Sequence, residues 1–286
     1  MGRIAEEEQL KKEKKKKRKN RVLIALFVIG ILIAVFIPIL GIIIALIPLI
    51  LNAIIDARDD ILKGEEDLDK KIKEELAPKI IETVLPNAKY LPYEGIEKEI
   101  YNMSEFDNMI YKYDSTDKLE IDANINKNIA CKLEIAEVKM NKEEKDKTPY
   151  LCIFGYSDLS KDIRSKIKIS KEGTYEQGSI FKVNTDYKEF EEIFDTMSPN
   201  QILAKKIITE NIQKQFVSIY NNFNKLPEIH IIKDKVYVKV ETEAIIKNTE
   251  DGKKIDRMIL EKHYNLLRPL VELMISICNI VNKTEI

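Results

Sequence analysis

The sequence contains little of what most catalytic and metal-binding sites are made from. Its 286 residues include two histidines, three cysteines, nine glycines and no tryptophan. The glycines are widely spaced, so no Gly-x-Gly-x-x-Gly dinucleotide-binding motif is present. Cys131, Cys152 and Cys278 are odd in number and far apart, unlike a disulfide framework or a zinc-binding pair. This arrangement gives some support to a reducing, cytoplasmic location of the domain that carries them.

Residues that could carry chemistry are isolated from suitable partners in the sequence. Residues 173–180 have the glycine spacing of a phosphate-binding loop but lack its lysine, which favours a surface turn. His230 lies on a predicted strand and His263 in the last predicted helix. Both are interpreted as surface or packing residues rather than as metal ligands or general bases. We therefore predict no catalytic, cofactor-binding or metal-binding residue and no cofactor, and the sequence favours a non-enzymatic protein.

Two polar clusters each have a structural and a functional interpretation. An acidic cluster fits a solvated face better than paired-carboxylate catalysis, which needs a carboxyl pKa raised by burial. It comprises Glu189, Glu191, Glu192 and Asp195. A tyrosine cluster fits core and sheet-edge packing, with a protein-binding patch as the alternative. It comprises Tyr90, Tyr93, Tyr101, Tyr111 and Tyr113.

Charge is absent from residues 22–51, a run of thirty residues without a strongly polar side chain. About 20 apolar residues are enough for a transmembrane helix, so we assign residues 22–55 to the membrane. The run is long for one span, and a single helix would have to tilt steeply. Pro38 and Gly41 near its middle allow a helical hairpin instead, although each arm would then be short.

The flanks of the apolar run indicate which side of the membrane each end occupies. Residues 1–21 carry ten basic and four acidic side chains, so this tail is predicted to be cytoplasmic and to contact anionic lipid. Residues 56–75 carry five basic and nine acidic side chains. The charges of this second flank are consistent with a single span and with a hairpin, because acidic residues contribute little to the positive-inside rule.

The part of the chain after the membrane segment has the pattern of an α+β domain. A connecting amphipathic helix is predicted at 56–86, followed by a soluble domain at 87–286. Residues 119–125 and 129–135 alternate apolar and polar side chains as half-buried strands do, and a bulge is expected near Ala136. Residues 150–156 are predicted to form a buried strand, and residues 190–197 a strand in preference to a helix. A helix is predicted at 202–223 and a hairpin at 229–240. The final helix is predicted at 255–281, with Pro269 kinking or restarting it. The fold class is therefore a largely antiparallel sheet with two or three packed helices, preceded by a transmembrane segment that is a candidate hairpin.

Several segments together resemble a known family. They are the double-length apolar run, the hairpin at 229–240, the leucine-rich final helix, and the stretches KEELAPKII at 73–81, YLPYEGI at 90–96 and FEEIFDT at 190–196. The chain resembles the uncharacterised bacterial membrane proteins grouped as domain of unknown function three-one-three-seven. The resemblance implies paired membrane segments before a cytoplasmic domain, which favours the hairpin. It implies no catalytic residues.

These patterns predict a membrane-tethered binding or scaffold domain at the bacterial cell membrane, without indicating a specific activity. The lipid bilayer and another protein are the expected partners, and the oligomeric state stays open. Residues 22–286 carry 37 basic and 44 acidic side chains, which argues against nucleic acid. A subunit of a membrane assembly or transporter is one alternative. An enzyme with an unrecognised site is another, and it would need a concave pocket with convergent polar groups, whereas the membrane-tethered binding or scaffold domain predicts no deep polar pocket.

Overall fold

A computed structural model describes residues 64, 66–126, 129–146, 148–174, 181–249 and 252–285. The predicted basic tail at 1–21 and the predicted membrane segment at 22–55 lie outside these residues. The chain divides into two units, Met1–Lys63 and Gly64–Ile286. All of the described residues belong to the second unit.

A nine-stranded sheet forms the centre of this unit. Its strand order is β1-β2-β3-β4-β9-β8-β5-β7-β6, and every pair of neighbours is antiparallel. The strands are β1 (Ala88–Leu91), β2 (Lys112–Asn126), β3 (Ile129–Asn141), β4 (Tyr150–Asp158), β5 (Lys166–Lys171), β6 (Phe181–Lys182), β7 (Phe194–Ser198), β8 (Glu228–Ile232) and β9 (Lys235–Glu241). A separate hairpin pairs β10 (Ile246–Thr249) with β11 (Gly252–Ile255). The predicted antiparallel sheet with packed helices is confirmed.

The helices enclose this sheet. They are α1 (Ala77–Val84), α2 (Lys98–Met103), α3 (Lys188–Glu191), α4 (Gln201–Ile207), α5 (Glu210–Phe223) and α6 (Arg257–Lys283). Residues 66–71 are also helical, and a π-helical turn, Ile72–Leu76, joins them to α1. In this turn the Ala77 N–H bonds to the Ile72 carbonyl, one residue farther back than in an α-helix.

Helix α6 packs on one face of the sheet and buries side chains along its whole length. The Asp256 carboxylate caps its first turn by accepting hydrogen bonds from the Met258 and Ile259 N–H groups, both at 3.1 Å. Pro269 lies inside the helix without dividing it into two elements. Within the described ranges, α6 is the one helix with the length and apolar composition of a membrane span, but its apolar side chains belong to the core of this unit.

The two faces of the sheet belong to different cores. Leu133, Ile135 and Ile153 pack in the larger core with α1, α5 and α6, whereas Ala136 and Phe154 pack in a smaller core beside α2. The bulge predicted near Ala136 is present in the β2–β3 pairing, where Thr116 pairs with Glu137 and Leu119 with Ile135, so two residues of β2 oppose Ala136. The extra residue therefore lies on β2, and β3 pairs with β4 without a register shift. The apolar phase of β3 also changes there because its other face becomes covered by the smaller core. A second irregularity of the β2–β3 pairing lies between Asn124 and Asn126.

Two predicted elements differ in their boundaries. The segment 190–197, for which a strand was preferred, divides between α3 and β7. The helix predicted at 202–223 is interrupted at Ile208 and Thr209. The Gln213 side-chain amide donates a hydrogen bond to the Ile208 carbonyl at 2.8 Å, so that carbonyl is paired despite the interruption.

Candidate functional site

A cleft of about 510 Å³ opens on the helical face of strands β2 and β3. Its wall combines the π-helical turn, the β2 irregularity, the start of α6 and the segment 242–246. A narrower enclosed space next to it is lined by Asp117, Glu137, His263 and Tyr264. Polar and ionisable side chains from four separate parts of the chain therefore converge on one concave region.

Asp117 lies at the β2 irregularity, in a left-handed backbone conformation with φ of 58°. Its N–H donates to the Pro92 carbonyl at 3.2 Å, which holds the backbone in place. Its carboxylate accepts hydrogen bonds from the Tyr90 hydroxyl and, at 2.7 Å, from the Thr116 hydroxyl. Burial and the nearby Glu137 carboxylate raise the pKa of Asp117 above its ordinary value.

Lys73 projects from the π-helical turn into this region and is only 7% exposed. Its ammonium lies 3.3 Å from the Asp117 carboxylate and 3.1 Å from that of Asp69. Burial disfavours the charged ammonium, but these two carboxylates outweigh that effect and raise the pKa of Lys73. Both charges of the buried pair are thus compensated.

Glu137 of β3 and His263 of α6 form the second polar pair. The imidazole Nε2 lies 2.8 Å from Glu137 Oε1. Burial alone would raise the pKa of Glu137, but His263, with Lys139 and Lys73 adding to it, lowers that pKa. The neighbouring carboxyl groups of Asp117 and Glu137 are therefore shifted in opposite directions, a pattern that recurs at functional sites.

Tyr264 follows His263 on α6 and is 2% exposed. It lines both the cleft and the enclosed space. Its hydroxyl makes no well-formed hydrogen bond among the described residues, because the neighbouring Tyr90 hydroxyl already donates its proton to Asp117. Burial, with the Glu137 and Asp117 carboxylates adding to it, raises its pKa well above the ordinary value. The group is therefore a neutral hydroxyl at physiological pH, with hydrogen-bonding capacity that the described chain leaves unused.

Of the residues singled out from the sequence, the structure brings Tyr90 and His263 into this region. His230 lies in the core on the other side of the sheet, where its Nδ1 is 2.7 Å from the Ser104 carbonyl and its ring packs against that of Phe106 at an angle of 31°. Gly173 forms a turn, and most of the loop that follows it lies outside the described residues.

The predicted acidic cluster does not converge on one point. Glu189 accepts from the Tyr187 hydroxyl, Glu191 from Thr185, and Asp195 pairs with Lys182. The tyrosine cluster also disperses, since Tyr101 is buried while Tyr93 and Tyr111 are exposed. Across the described ranges, no group of three or more His, Cys, Asp or Glu side chains is arranged to hold a metal ion.

Lys73, Asp117 and Glu137 of the cleft belong to no recognised sequence motif. Two of them, Lys73 and Glu137, could have been identified as charged residues at predicted core positions. Glu137 is in phase with Leu133 and Ile135, which places a carboxylate on the apolar face of β3. Lys73 follows the buried Ile72 and is itself buried. Charged residues at core positions need partners, so each is a candidate for a functional or structural pair. The third, Asp117, gives no such signal, because its position depends on the irregularity in β2.

One family model matches this chain over residues 121–284, which is more than half of its length. The family is described as protein of unknown function, DUF3137. The match covers most of the sheet and all of α6, and it confirms the resemblance inferred from the sequence. No curated protein and no solved structure matches the chain.

Proposed function

The chain belongs to the DUF3137 family, and we propose that it is a membrane-tethered domain that binds a small polar molecule in the cleft between β3 and α6. The tether is the apolar run at 22–51, which has the length and composition of membrane-spanning sequence. The cleft supplies the binding element. Its volume of about 510 Å³ lies within the usual range for small-molecule sites.

The unpartnered hydroxyl of Tyr264 carries this proposal. A buried hydroxyl without a partner costs on the order of 1–3 kcal/mol, so it is uncommon unless it has a use. Here it lies at the wall of a cleft, near carboxylates that favour a hydrogen-bond donor on the incoming molecule. A ligand with an ammonium, amide or hydroxyl group could bond to Tyr264 and Glu137 together.

The cleft differs from the expectation that a binding or scaffold domain has no deep polar pocket, and its convergent polar side chains favour small-molecule binding over a purely scaffolding role. Binding is also favoured over catalysis. In a hydrolase-like site the histidine would contact a nucleophile within hydrogen-bonding distance. The second imidazole nitrogen of His263, Nδ1, is buried, and no described residue bonds to it. The Glu137–His263 pair therefore lacks a nucleophile in the described part of the chain.

The test is a ligand screen on the full chain in detergent, using thermal stabilisation by amino acids, amines, polyols and sugars. Any hit is then titrated calorimetrically against the Tyr264→Phe and Glu137→Gln variants. Loss of one hydrogen bond of about 1–2 kcal/mol predicts about 5- to 30-fold weaker binding in each variant. The control is Glu82→Gln, which changes an exposed carboxylate on α1 and should bind normally.

Two results would contradict the binding proposal. One is the absence of any stabilising compound, and the other is a hit whose affinity is the same in both cleft variants. The tether is tested separately by extracting membranes with alkaline carbonate, since a spanning segment keeps the full chain in the pellet. Release into the supernatant would remove the membrane part of the proposal while leaving the binding site to be judged by the screen.

A further inference from the structure

Two of the three cysteines meet between the sheet and helix α6. The Sγ atoms of Cys131 on β3 and Cys278 on α6 lie 3.4 Å apart, although the residues are 147 positions apart in the chain. The Ser157 hydroxyl of β4 lies 2.9 Å from Cys131 Sγ and 3.7 Å from Cys278 Sγ. Both thiols are buried, so their encounter is fixed by the packing of α6 on the sheet.

The surroundings make the two sulfurs chemically unequal. The hydrogen bond between Cys131 and Cys278 lowers the pKa of Cys131 to about 7, and the bond with Ser157 adds to this effect against the opposing influence of burial. The same Cys278–Cys131 bond, together with burial, raises the pKa of Cys278. Near neutral pH, Cys131 is therefore the better nucleophile, and Cys278 is the neighbouring thiol that can resolve an oxidised Cys131.

We propose that Cys131 and Cys278 form a redox-active dithiol, which a peroxide converts to an intramolecular disulfide between β3 and α6. The sulfurs need to approach by roughly 1.4 Å to reach the disulfide bond length, which is within the reach of side-chain rotation and a small shift of the helix.

The reaction balances with hydrogen peroxide as the two-electron oxidant. The Cys131 thiolate attacks one peroxide oxygen, the O–O bond breaks, and the product is a sulfenic acid with release of the other oxygen as water after protonation. The Cys278 sulfur then attacks the Cys131 sulfur, the S–O bond breaks, and a second water leaves. Two thiols and one peroxide thus yield one disulfide and two waters.

The disulfide would connect the same two elements that flank the ligand cleft. Strand β3 carries both Cys131 and Glu137, and helix α6 carries both Cys278 and Tyr264. Along α6, Cys278 and His263 are separated by roughly 22 Å, so the disulfide and the Glu137–His263 hydrogen bond would hold α6 to β3 at well-separated points. Oxidation would therefore restrict any movement of the helix that widens the cleft.

Cys152 provides an internal control. It lies on β4 in the smaller core on the other face of the sheet, and among the described residues no hydrogen bond joins its thiol to that of Cys131 or Cys278. Burial raises its pKa to about 12, so it is almost entirely the neutral thiol at physiological pH. This cysteine should remain reduced under conditions that oxidise the other two.

The experiment treats the reduced full chain in detergent with hydrogen peroxide at neutral pH. The chain is then quenched, unfolded in dodecyl sulfate and reacted with a polyethylene glycol maleimide to count free thiols. The expected count falls from three to one, dithiothreitol restores it, and mass spectrometry identifies a peptide crosslinked between 131 and 278. Closing so long a loop should also raise the thermal unfolding midpoint by about 10 °C.

Variants separate this outcome from general oxidation. Cys152→Ser should leave no free thiol after peroxide, whereas Cys278→Ser should give no crosslinked peptide and no rise in the unfolding midpoint. Because the mapping is done on the unmodified chain, it does not depend on the folding of either variant. The inference is overturned if all three thiols survive peroxide treatment. It is equally overturned if thiols disappear without the 131–278 peptide.

Discussion

The imidazole Nε2 of His263 lies 2.8 Å from the Oε1 atom of Glu137, so one hydrogen bond joins helix α6 to strand β3 beside the cleft. The imidazole is 5% exposed and the glutamate side chain 26% exposed. The bond is therefore shielded from water on one side only, and its strength should lie between that of a surface pair and that of a core pair.

A double-mutant cycle on Glu137→Gln and His263→Gln should detect this coupling. We expect each single variant to lose about 1–3 kcal/mol of unfolding free energy, with a coupling of about 1 kcal/mol between them. The measurement is urea unfolding of the full chain in detergent. The matched control is the exposed pair Glu143 and Lys145, 2.7 Å apart, for which the coupling should be close to zero. Equal coupling energies in the two pairs would show that burial does not strengthen the Glu137–His263 hydrogen bond.

Gly95 is required by its close approach to β2. A Cβ atom at this position would lie 2.1 Å from the Ser115 carbonyl oxygen, which belongs to the backbone and cannot rotate away. Gly95→Ala should therefore displace β2 just before the irregularity that carries Asp117, and destabilise the fold by about 2–3 kcal/mol.

Gly64→Ala is the control for that change. Gly64 is helical, and nothing lies within 4 Å of an added Cβ. Alanine is the better helix former, so this variant should be unchanged or more stable by up to about 1 kcal/mol. Thermal unfolding of both variants decides the matter. If Gly95→Ala is as stable as Gly64→Ala, the backbone at Gly95 does not approach the Ser115 carbonyl as closely as the structure shows.

His230 should make the fold sensitive to acid. Burial lowers its pKa to about 3, and the positive charges of Lys168 and Lys239 add to this effect, against an opposing hydrogen bond to the Ser104 carbonyl. In the unfolded chain the same group takes up a proton below about pH 6.5. The unfolded state binds more protons between these two values, so stability should fall as the pH falls from about 6.5 toward 3.

The direct measurement is a proton NMR titration of the imidazole ring. We expect the His230 signal to stay at its neutral position down to at least about pH 5, while urea unfolding shows the loss of stability. His230→Gln should reduce the slope of stability against pH by up to about 1.4 kcal/mol per pH unit within this window. A His230 midpoint near 6.5 in the folded chain would contradict the burial of this ring.

The sequence pattern predicted the sheet well because apolar alternation reports which face of a strand is covered. Leu119 and Ile121 on β2, with Leu133 and Ile135 on β3, are all buried on the same face as expected. The change of apolar phase at Ala136 also located the bulge of the β2–β3 pairing, although the extra residue lies on β2 rather than on β3. The phase of β3 itself changes because its other face is covered by the smaller core, which the pattern alone does not distinguish from a bulge.

The candidate site was much less accessible to sequence reasoning. Lys73 and Asp117 form their pair only because a π-helical turn meets an irregularity in β2, and neither feature has a sequence signature. Glu137 could have been predicted from the sequence, because this acidic residue is in phase with the core residues Leu133 and Ile135. His263 was considered alone, since its partner lies on a strand more than a hundred residues earlier.

The side of the membrane on which the domain lies can be tested with one added cysteine. Lys145 lies in the loop after β3, and its side chain is 83% exposed. The three native cysteines are buried, as such an assay requires, so they should give little background. Under the hairpin arrangement, Lys145→Cys should resist a membrane-impermeant maleimide in intact cells and react after lysis.

A second cysteine in the basic tail, Lys12→Cys, tells the two arrangements apart. The positive-inside rule predicts that this position is cytoplasmic in either case, so it too should react only after lysis. Protection at both positions places the tail and the domain on the same side, which requires an even number of crossings. Protection at Lys12→Cys with labelling at Lys145→Cys would instead require a single span. The domain would then face an oxidising compartment, where the Cys131–Cys278 disulfide would be the resting state rather than a response to peroxide.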